Sequence, residues 1–380
     1  MATIRKRTLP SGKTCWQADY VDGGGKRRHR QFTTKKEADS FLVHARGEVS
    51  RGIHTAESAS ITLADAGERW LAKCAEVGLE QMTVERYRST FEHHVKPKLG
   101  KTKLSKIGAP MIQSAVDEVA AILSRSSARK ALSCITSVFA QAMRDGRASH
   151  NPAREVKLPH ARRSGPHIEM PTKAELAAIL KHTPARWKPF IRTAMLTGMR
   201  SSELRGLLWS DVNLDAGMIH VRRRVDRKGS FGPPKSKAGT RDIPLSQTSV
   251  TGLKAWKLQC PNGALGLVFP NASGRIEEHT NILNRVFWPA QIKAGVTVMR
   301  DALGDDGNPI QVPDAKFSLH ALRHTAAALF IEQGFPPKKV QALMGHSSIQ
   351  MTFDLYGYLF PSDDDDRNAM AQIEARLLSE

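Results

Sequence analysis

Apolar positions group at helical spacing over most of this chain and at strand spacing in a few short runs. The run Cys15 to Val21 holds Trp16, Tyr20 and Val21 and predicts a strand. Asp22-Gly23-Gly24-Gly25 predicts a turn, and Lys26 to Phe32 a second, strongly basic strand. Thr34 is placed to cap a helix over Lys35 to Arg51, with Ala38, Phe41, Leu42 and Ala45 on one face. After a Ser/Thr/Ala-rich connector at 56–62, helical patterns cover Leu63 to Ala75, Gln81 to Val95, Ala109 to Ala121 and Ser127 to Asp145. Pro97 to Gly100 and Asp145-Gly146 break them.

The stretch 151–171 carries Pro152, Pro159, Pro166 and Pro171 without apolar periodicity, and predicts an extended basic linker. Beyond it, Thr172 with Glu175 three residues on makes a capping box for a helix to Lys181. Further helices are expected at Trp187 to Leu196, Ala321 to Gln333, Pro336 to Met344 and Asp366 to Leu378. Met218 to Val225 and Arg241 to Pro244 read as strands flanking a turn-rich segment, Gly229 to Gly239. The fold class is mainly α with small β-sheets, an α+β chain of several domains. The expected divisions are a small sheet-plus-helix domain at 1–55, a helical domain at 60–150, a linker at 151–171 and a larger mixed domain at 172–380.

Charge narrows the partner. The 380 residues carry 57 Lys+Arg against 37 Asp+Glu, a net +20, and an excess of this size points to a polyanion. Residues 1–55 alone hold twelve Lys/Arg and five Asp/Glu. Lys26, Arg27, Arg28 and Arg30 on the basic strand, and Arg125, Arg129 and Lys130 in the helical domain, are the candidate DNA contacts. The cysteines Cys15, Cys74, Cys134 and Cys260 are scattered, which predicts a reduced intracellular protein without a Cys-x-x-Cys site. No signal peptide or membrane span is expected, and the chain is placed in the cytoplasm, on DNA.

Four segments of the second half carry chemistry. Arg200 follows a Thr-Gly break just before a helix, where its fork can project into a cleft with backbone N–H groups nearby; Glu203 shares its face and can fix the guanidinium or a neighbouring histidine. Lys235 lies in the turn-rich segment as a candidate general acid, with Lys228 and Lys237 as rivals. His320 and Arg323, three apart, share a helix face, so Arg200 and Arg323 can clamp one phosphate. His324 completes a His-x-x-x-His spacing, but Ala321 stands where a zinc protease needs Glu, so no metal is expected and His324 reads as a packing or supporting residue. His346 follows a glycine at a helix end, and Tyr356 comes ten residues later. Arginines and a lysine around a phosphate favour a phenolate nucleophile, for which Tyr358 is the rival of Tyr356.

Thr197 to Leu204, Pro234 to Lys237, His320 to His324 and Gly345 to Tyr356 together resemble the tyrosine recombinase family, the integrases of phages and genomic islands. That family reads Thr-Gly-x-Arg-x-x-Glu-Leu, a hairpin lysine, His-x-x-Arg, then Gly-His followed nine or ten residues on by Tyr. The resemblance implies that Arg200, Lys235, His320, Arg323 and His346 are catalytic, that Tyr356 is the nucleophile and that Glu203 supports them. Ala321 departs from the Asp that relatives often carry there. The resemblance further implies a 3′-phosphotyrosyl intermediate, no metal or nucleotide cofactor, double-stranded attachment-site DNA as substrate, and a homotetramer aided by DNA-bending and directionality factors. The helical segment resembles the family's core-binding domain and residues 1–55 its arm-binding domain. Ala369, Ile373, Ala375, Leu377 and Leu378 could dock on a neighbouring copy. Rival readings are a Xer-like or topoisomerase-like strand transferase and an inactive DNA-binding repressor.

Overall fold

The computed structural model describes residues 3–22, 25–50, 60–159, 168–303, 307–360 and 366–378. The expected turn glycines Gly23 and Gly24, Arg51, the connector through residue 59, the middle of the expected linker and most of the acidic run after Ser362 lie outside them. The chain divides into two compact units, residues 1–165 and 166–380.

The first unit contains two separate cores. In one, β1 (Thr3–Thr8), β2 (Thr14–Val21) and β3 (Arg27–Phe32) form an antiparallel sheet in that order, with Thr3 opposite Asp19 and Val21 opposite Arg27. Ala18 and Tyr20 pack on Ala38, Leu42 and Ala45 of α1 (Lys35–Ser50). Thr34 and Glu37 exchange the backbone bonds of a capping box, which starts α1 where the sequence places it. The second core is helical: α2 (Leu63–Glu76), α3 (Gln81–Thr90), α4 (Lys96–Leu99), α5 (Ala109–Ile122) and α6 (Arg125–Arg144). A widened π turn at Phe91–Val95 joins α3 to α4 and sends the Phe91 ring against Gly67. A β-carbon on Gly67 would fall 2.0 Å from that ring, so only glycine permits this approach.

The linker expectation needs correction at its start. Ala153 and Val156 are buried in the helical core and Leu158 packs on it. Gln113 bonds both backbone groups of Lys157, at 2.8 and 3.0 Å. Three apolar side chains at short intervals suffice to fold this piece back, which a search for helical periodicity overlooks.

The second unit carries α7 (Lys173–His182), α8 (Lys188–Thr197), α9 (Ser201–Arg205), β4 (Val212–Asn213), β5 (Met218–Val221), β6 (Arg224–Val225), β7 (Phe231–Gly232), β8 (Arg241–Pro244), α10 (Gln247–Gln259), α11 (His279–Ile282), α12 (Trp288–Lys293), β9 (Thr297–Leu303), β10 (Pro309–Ala315), α13 (Ala321–Glu332), α14 (Pro337–Met344), α15 (Ile349–Tyr356) and α16 (Asp366–Leu378). The Thr172–Glu175 capping box is present at the head of α7. The strand expected over Met218 to Val225 is two strands. β5 pairs with β4 and β8, whereas β6 turns away to pair with β7. The largest core joins α8, α10, α12 and the start of α13 with β5 and β8. A smaller one gathers Ala327, Ile331, Val340, Met344 and Tyr356 from α13, α14 and α15. These two cores hold the candidate site.

Candidate active site

Gly198 closes α8 in the left-handed region (φ 61°), and a β-carbon there would fall 2.6 Å from Met344 Sδ. Arg200 then takes an extended conformation and heads α9. Its backbone N donates to Glu203 Oε2 at 3.0 Å, its Nη1 to Glu203 Oε1 at 2.8 Å, and its Nη2 to Gly345 O at 3.2 Å. Glu203 is 2% exposed and accepts another bond from Arg241 Nη2 at 2.9 Å. Arg241 itself reaches Leu343 O at 2.6 Å through Nε and Gly239 O at 2.9 Å through Nη1.

Arg323 is buried on the first turn of α13 and donates to two main-chain oxygens, Gly198 O and Met344 O. Gly345 follows α14 at φ 63°, and a β-carbon there would lie 2.9 Å from Ala238 O. This turn delivers His346, whose Nδ1 shares a 3.0 Å hydrogen bond with Thr352 Oγ1 in α15. Tyr356 ends α15 with its ring parallel to that of His346, 6.3 Å between centroids. Its phenol oxygen shares a 2.7 Å hydrogen bond with His324 Nδ1. His324 in turn meets His320 edge to face at 4.8 Å.

The structure therefore gathers Arg200, Glu203, His320, Arg323, His346 and Tyr356. Lys235 is exposed on the loop between β7 and β8, and Lys228 and Lys237 are exposed around the same hairpin. Pro234, beside Lys235, sits so close to Gly239 that a β-carbon on the glycine would fall 2.5 Å from it. Arg241 holds the Gly239 carbonyl, so this loop is tied to the carboxylate that holds Arg200. Two residues of the site carried no such role in the sequence reading, Arg241 and His324. The one available signal was their spacing, Arg241 near the lysine loop and His324 four residues after His320.

Among the candidate DNA contacts, Lys26, Arg27, Arg30, Arg129 and Lys130 are exposed. Arg28 pairs with Asp22 at 2.8 Å, and the Arg30 guanidinium lies over the Phe32 and Phe41 rings. Arg125 donates to Pro159 O at 2.6 Å and so serves its own unit's packing.

Charge is unbalanced in the site. Burial works to raise the Glu203 carboxyl pKa, but Arg241 and Arg200 overcome it and hold the group below the ordinary carboxylate value. Burial, then Arg200 and Arg241, push Arg323 down to about 9. Three guanidinium groups around one carboxylate favour an anion. Burial also drives His346 down to about 4, helped by Arg323, Arg200 and Arg241. His320 falls to about 4 for the same first reason, then from His324, Arg323 and Arg200, although its outer edge meets solvent. Burial raises Tyr356 to about 12 against the pull of Arg323. At rest the site holds a neutral phenol and neutral imidazoles.

This has a consequence for acid stability. The unfolded histidines titrate near 6.5 and the folded ones near 4, so between those values the unfolded chain binds protons that the native one refuses. Stability is therefore expected to fall as pH drops from about 6.5 to 4, with little change from these groups above. His346, almost fully buried, contributes on the order of 3 kcal/mol to that fall, and the more exposed His320 less. Melting temperatures across this range measure it, and His346→Gln should make the slope shallower. An unchanged slope in that variant would contradict the assignment.

A model of the phage integrase family matches residues 171–361, and one of the phage integrase central domain matches residues 63–158. The chain belongs to the phage integrase family. A tyrosine recombinase XerC-like protein of Caldanaerobacter subterraneus subsp. tengcongensis is 25% identical over 376 residues, covering 90% of each chain. A solved structure of the Tn1549 transposon integrase in complex with a circular intermediate DNA is 19% identical, with a TM-score of 0.63 over 83% of this chain and 100% of that one. The lambda integrase tetramer bound to a Holliday junction is 20% identical, with a TM-score of 0.57 over 92% and 94%. The expected fold class, mainly α with small sheets, is the one these share. The enzyme is a site-specific tyrosine recombinase, which cleaves and rejoins DNA strands.

Proposed function

We propose that Tyr356 attacks the scissile phosphate of an attachment-site duplex, forming a 3′-phosphotyrosyl bond and releasing a 5′-hydroxyl. The carrying observation is the buried Tyr356, whose ring stacks on His346 and whose phenol feels the Arg323 charge, with Arg200 held to the neighbouring Gly345. In this reading Arg200 and Arg323 bind the non-bridging oxygens and stabilise the added charge of the transition state. His320 and His346 bond the same oxygens as neutral donors. Glu203 fixes Arg200, and Lys235 protonates the leaving 5′ oxygen. A 5′-hydroxyl of a partner strand then reverses the step. The covalent bond conserves the phosphodiester energy, so no metal or nucleotide is called for.

The enzyme works in this reading on double-stranded DNA as a homotetramer, assisted by DNA-bending and directionality factors, to integrate or excise a mobile element in the bacterial cytoplasm. The Tn1549 integrase and the lambda tetramer are the similar proteins that support the substrate and the assembly. On α16, Ile373, Leu377 and Leu378 are 51, 73 and 76% exposed, which suits docking on a neighbouring copy. Exposed Lys26 and Arg27 suit an arm-site contact, and Arg129 and Lys130 a core-site contact.

Incubating the full chain with a nicked attachment-site duplex in EDTA, then denaturing electrophoresis, tests the reading. A covalent protein–DNA adduct is the expected result. Absence of any adduct on the cognate site would favour a DNA-binding repressor instead.

A further inference from the structure

We propose that His324 is the general base of strand cleavage, accepting the phenol proton of Tyr356 as the tyrosyl–phosphorus bond forms. This rests on the reading of Tyr356 as nucleophile and adds to it the route by which its proton leaves.

A phenol that attacks phosphorus must lose its proton, and Tyr356 is 1% exposed, so bulk water is not at hand to take it. His324 Nδ1 lies 2.7 Å from the phenol oxygen, within the range a proton transfer needs. The neighbouring groups are worse placed. His346 stacks parallel to the tyrosine ring, at 11° between planes, and its Nδ1 is engaged with Thr352. Arg323 has donors only and spends two of them on Gly198 O and Met344 O. His320 meets His324 by its ring. The titratable and charged groups facing His324 are thus His320 and Arg323 from its own helix, with His346 and Tyr356 from the chain after α14. Burial first, then the Arg323 charge, hold the His324 imidazole below its ordinary pKa. It is therefore neutral near pH 7 and, with its hydrogen on Nε2, Nδ1 is an acceptor.

The step balances. The tyrosyl oxygen–phosphorus bond forms and the phosphorus–O5′ bond breaks. The phenol proton passes to His324 Nδ1, while Lys235 in its proposed role gives a proton to O5′. In rejoining, the incoming 5′-hydroxyl gives its proton to Lys235, and the departing phenolate recovers its own from His324. A neutral base beside the buried phenol removes the need to ionise it beforehand against a pKa of about 12. The edge-to-face contact with His320 then keeps the His324 ring from turning away.

The test uses full-length protein and a duplex with a 5′-bridging phosphorothiolate at the cleavage position, whose sulfur leaves without a proton. Single-turnover adduct rates are measured between pH 6 and 9 for the wild type, Lys235→Ala, His324→Ala, His324→Gln and Tyr356→Phe. On this substrate Lys235→Ala should regain a rate close to wild type. Both His324 variants should stay slower by about 10² to 10⁴-fold. Their rates should climb about tenfold per pH unit where the wild type is flat, because hydroxide must replace the missing base. Duplex binding and circular dichroism check the fold, and His324→Gln decides if the alanine variant does not fold. A His324→Gln enzyme with wild-type rate and a flat profile would reduce His324 to a positioning residue and overturn the proposal. An adduct in Tyr356→Phe would instead overturn the nucleophile assignment on which it stands.

Discussion

Tyr356→Phe is expected to abolish the covalent protein–DNA adduct, by at least about four orders of magnitude in rate, whereas Tyr358→Phe should keep it. Two positions apart, these tyrosines occupy opposite settings. Tyr356 ends α15 in the core of α13 to α15, and its hydroxyl meets His324. Tyr358 follows in a short 3₁₀ turn and is 44% exposed. A nucleophile must hold one geometry against phosphorus, which packing gives to Tyr356. The phenylalanine variant keeps the ring and loses one hydrogen bond, worth about 1 kcal/mol, so it should fold and still bind duplex. Denaturing electrophoresis of both variants on one nicked duplex is the measurement. Loss of adduct in Tyr358→Phe with retention in Tyr356→Phe would reverse the assignment.

The second large effect is expected at Glu203, where alanine should cost about 3–5 kcal/mol of stability and most of the cleavage rate. The carboxylate is buried and takes bonds from the Arg200 backbone, the Arg200 side chain and Arg241. Removing it leaves two guanidinium groups facing each other without a counter-charge, close to Arg323. Arg200 then has only the Gly345 carbonyl to orient it, and Arg241, which holds the lysine loop at Gly239 O, loses its counter-charge. Glu203→Gln, which keeps the shape and one acceptor, should fall between. Urea unfolding gives the first quantity, and the adduct rate with saturating duplex the second. A Glu203→Ala protein as stable and as fast as wild type would show that the arginines are held by other means.

What the sequence made legible was local. The capping box expected of Thr172 and Glu175 is present, and Thr34 caps α1 as expected, with Glu37 completing a box there too. The strand Arg241–Pro244 stands where its pattern placed it. α10 escaped despite local signals, its Ser246 cap and the buried Val250, Leu253 and Trp256, whereas other unexpected elements have reasons that lie elsewhere in the chain. β1 holds a single aliphatic residue, Ile4, and exists through its pairing with β2. β9 and β10 expose most of their side chains and give no apolar alternation. The sequence around α15 shows the spacing of His346 and Tyr356 but no helical signal of comparable strength. The site divides the same way. The four motif segments were visible and the structure gathers them, with Lys235 on its exposed loop. The bonds from Arg241 to Glu203 and from His324 to Tyr356 span 38 and 32 residues, and no local pattern encodes them.

Arg323 and Arg200 grip the oxygens of Gly198, Met344 and Gly345, all main-chain atoms. Every residue type supplies a carbonyl, so the identity of residue 344 is free to drift among apolar side chains that fill the same space. The two glycines are not free, because any β-carbon there meets Met344 or Ala238. Mutational tolerance around the site should thus be sharply uneven, forgiving at Met344 and closed at Gly198 and Gly345. A site wired this way lets the surrounding sequence diverge over evolutionary time while its charge geometry stays put.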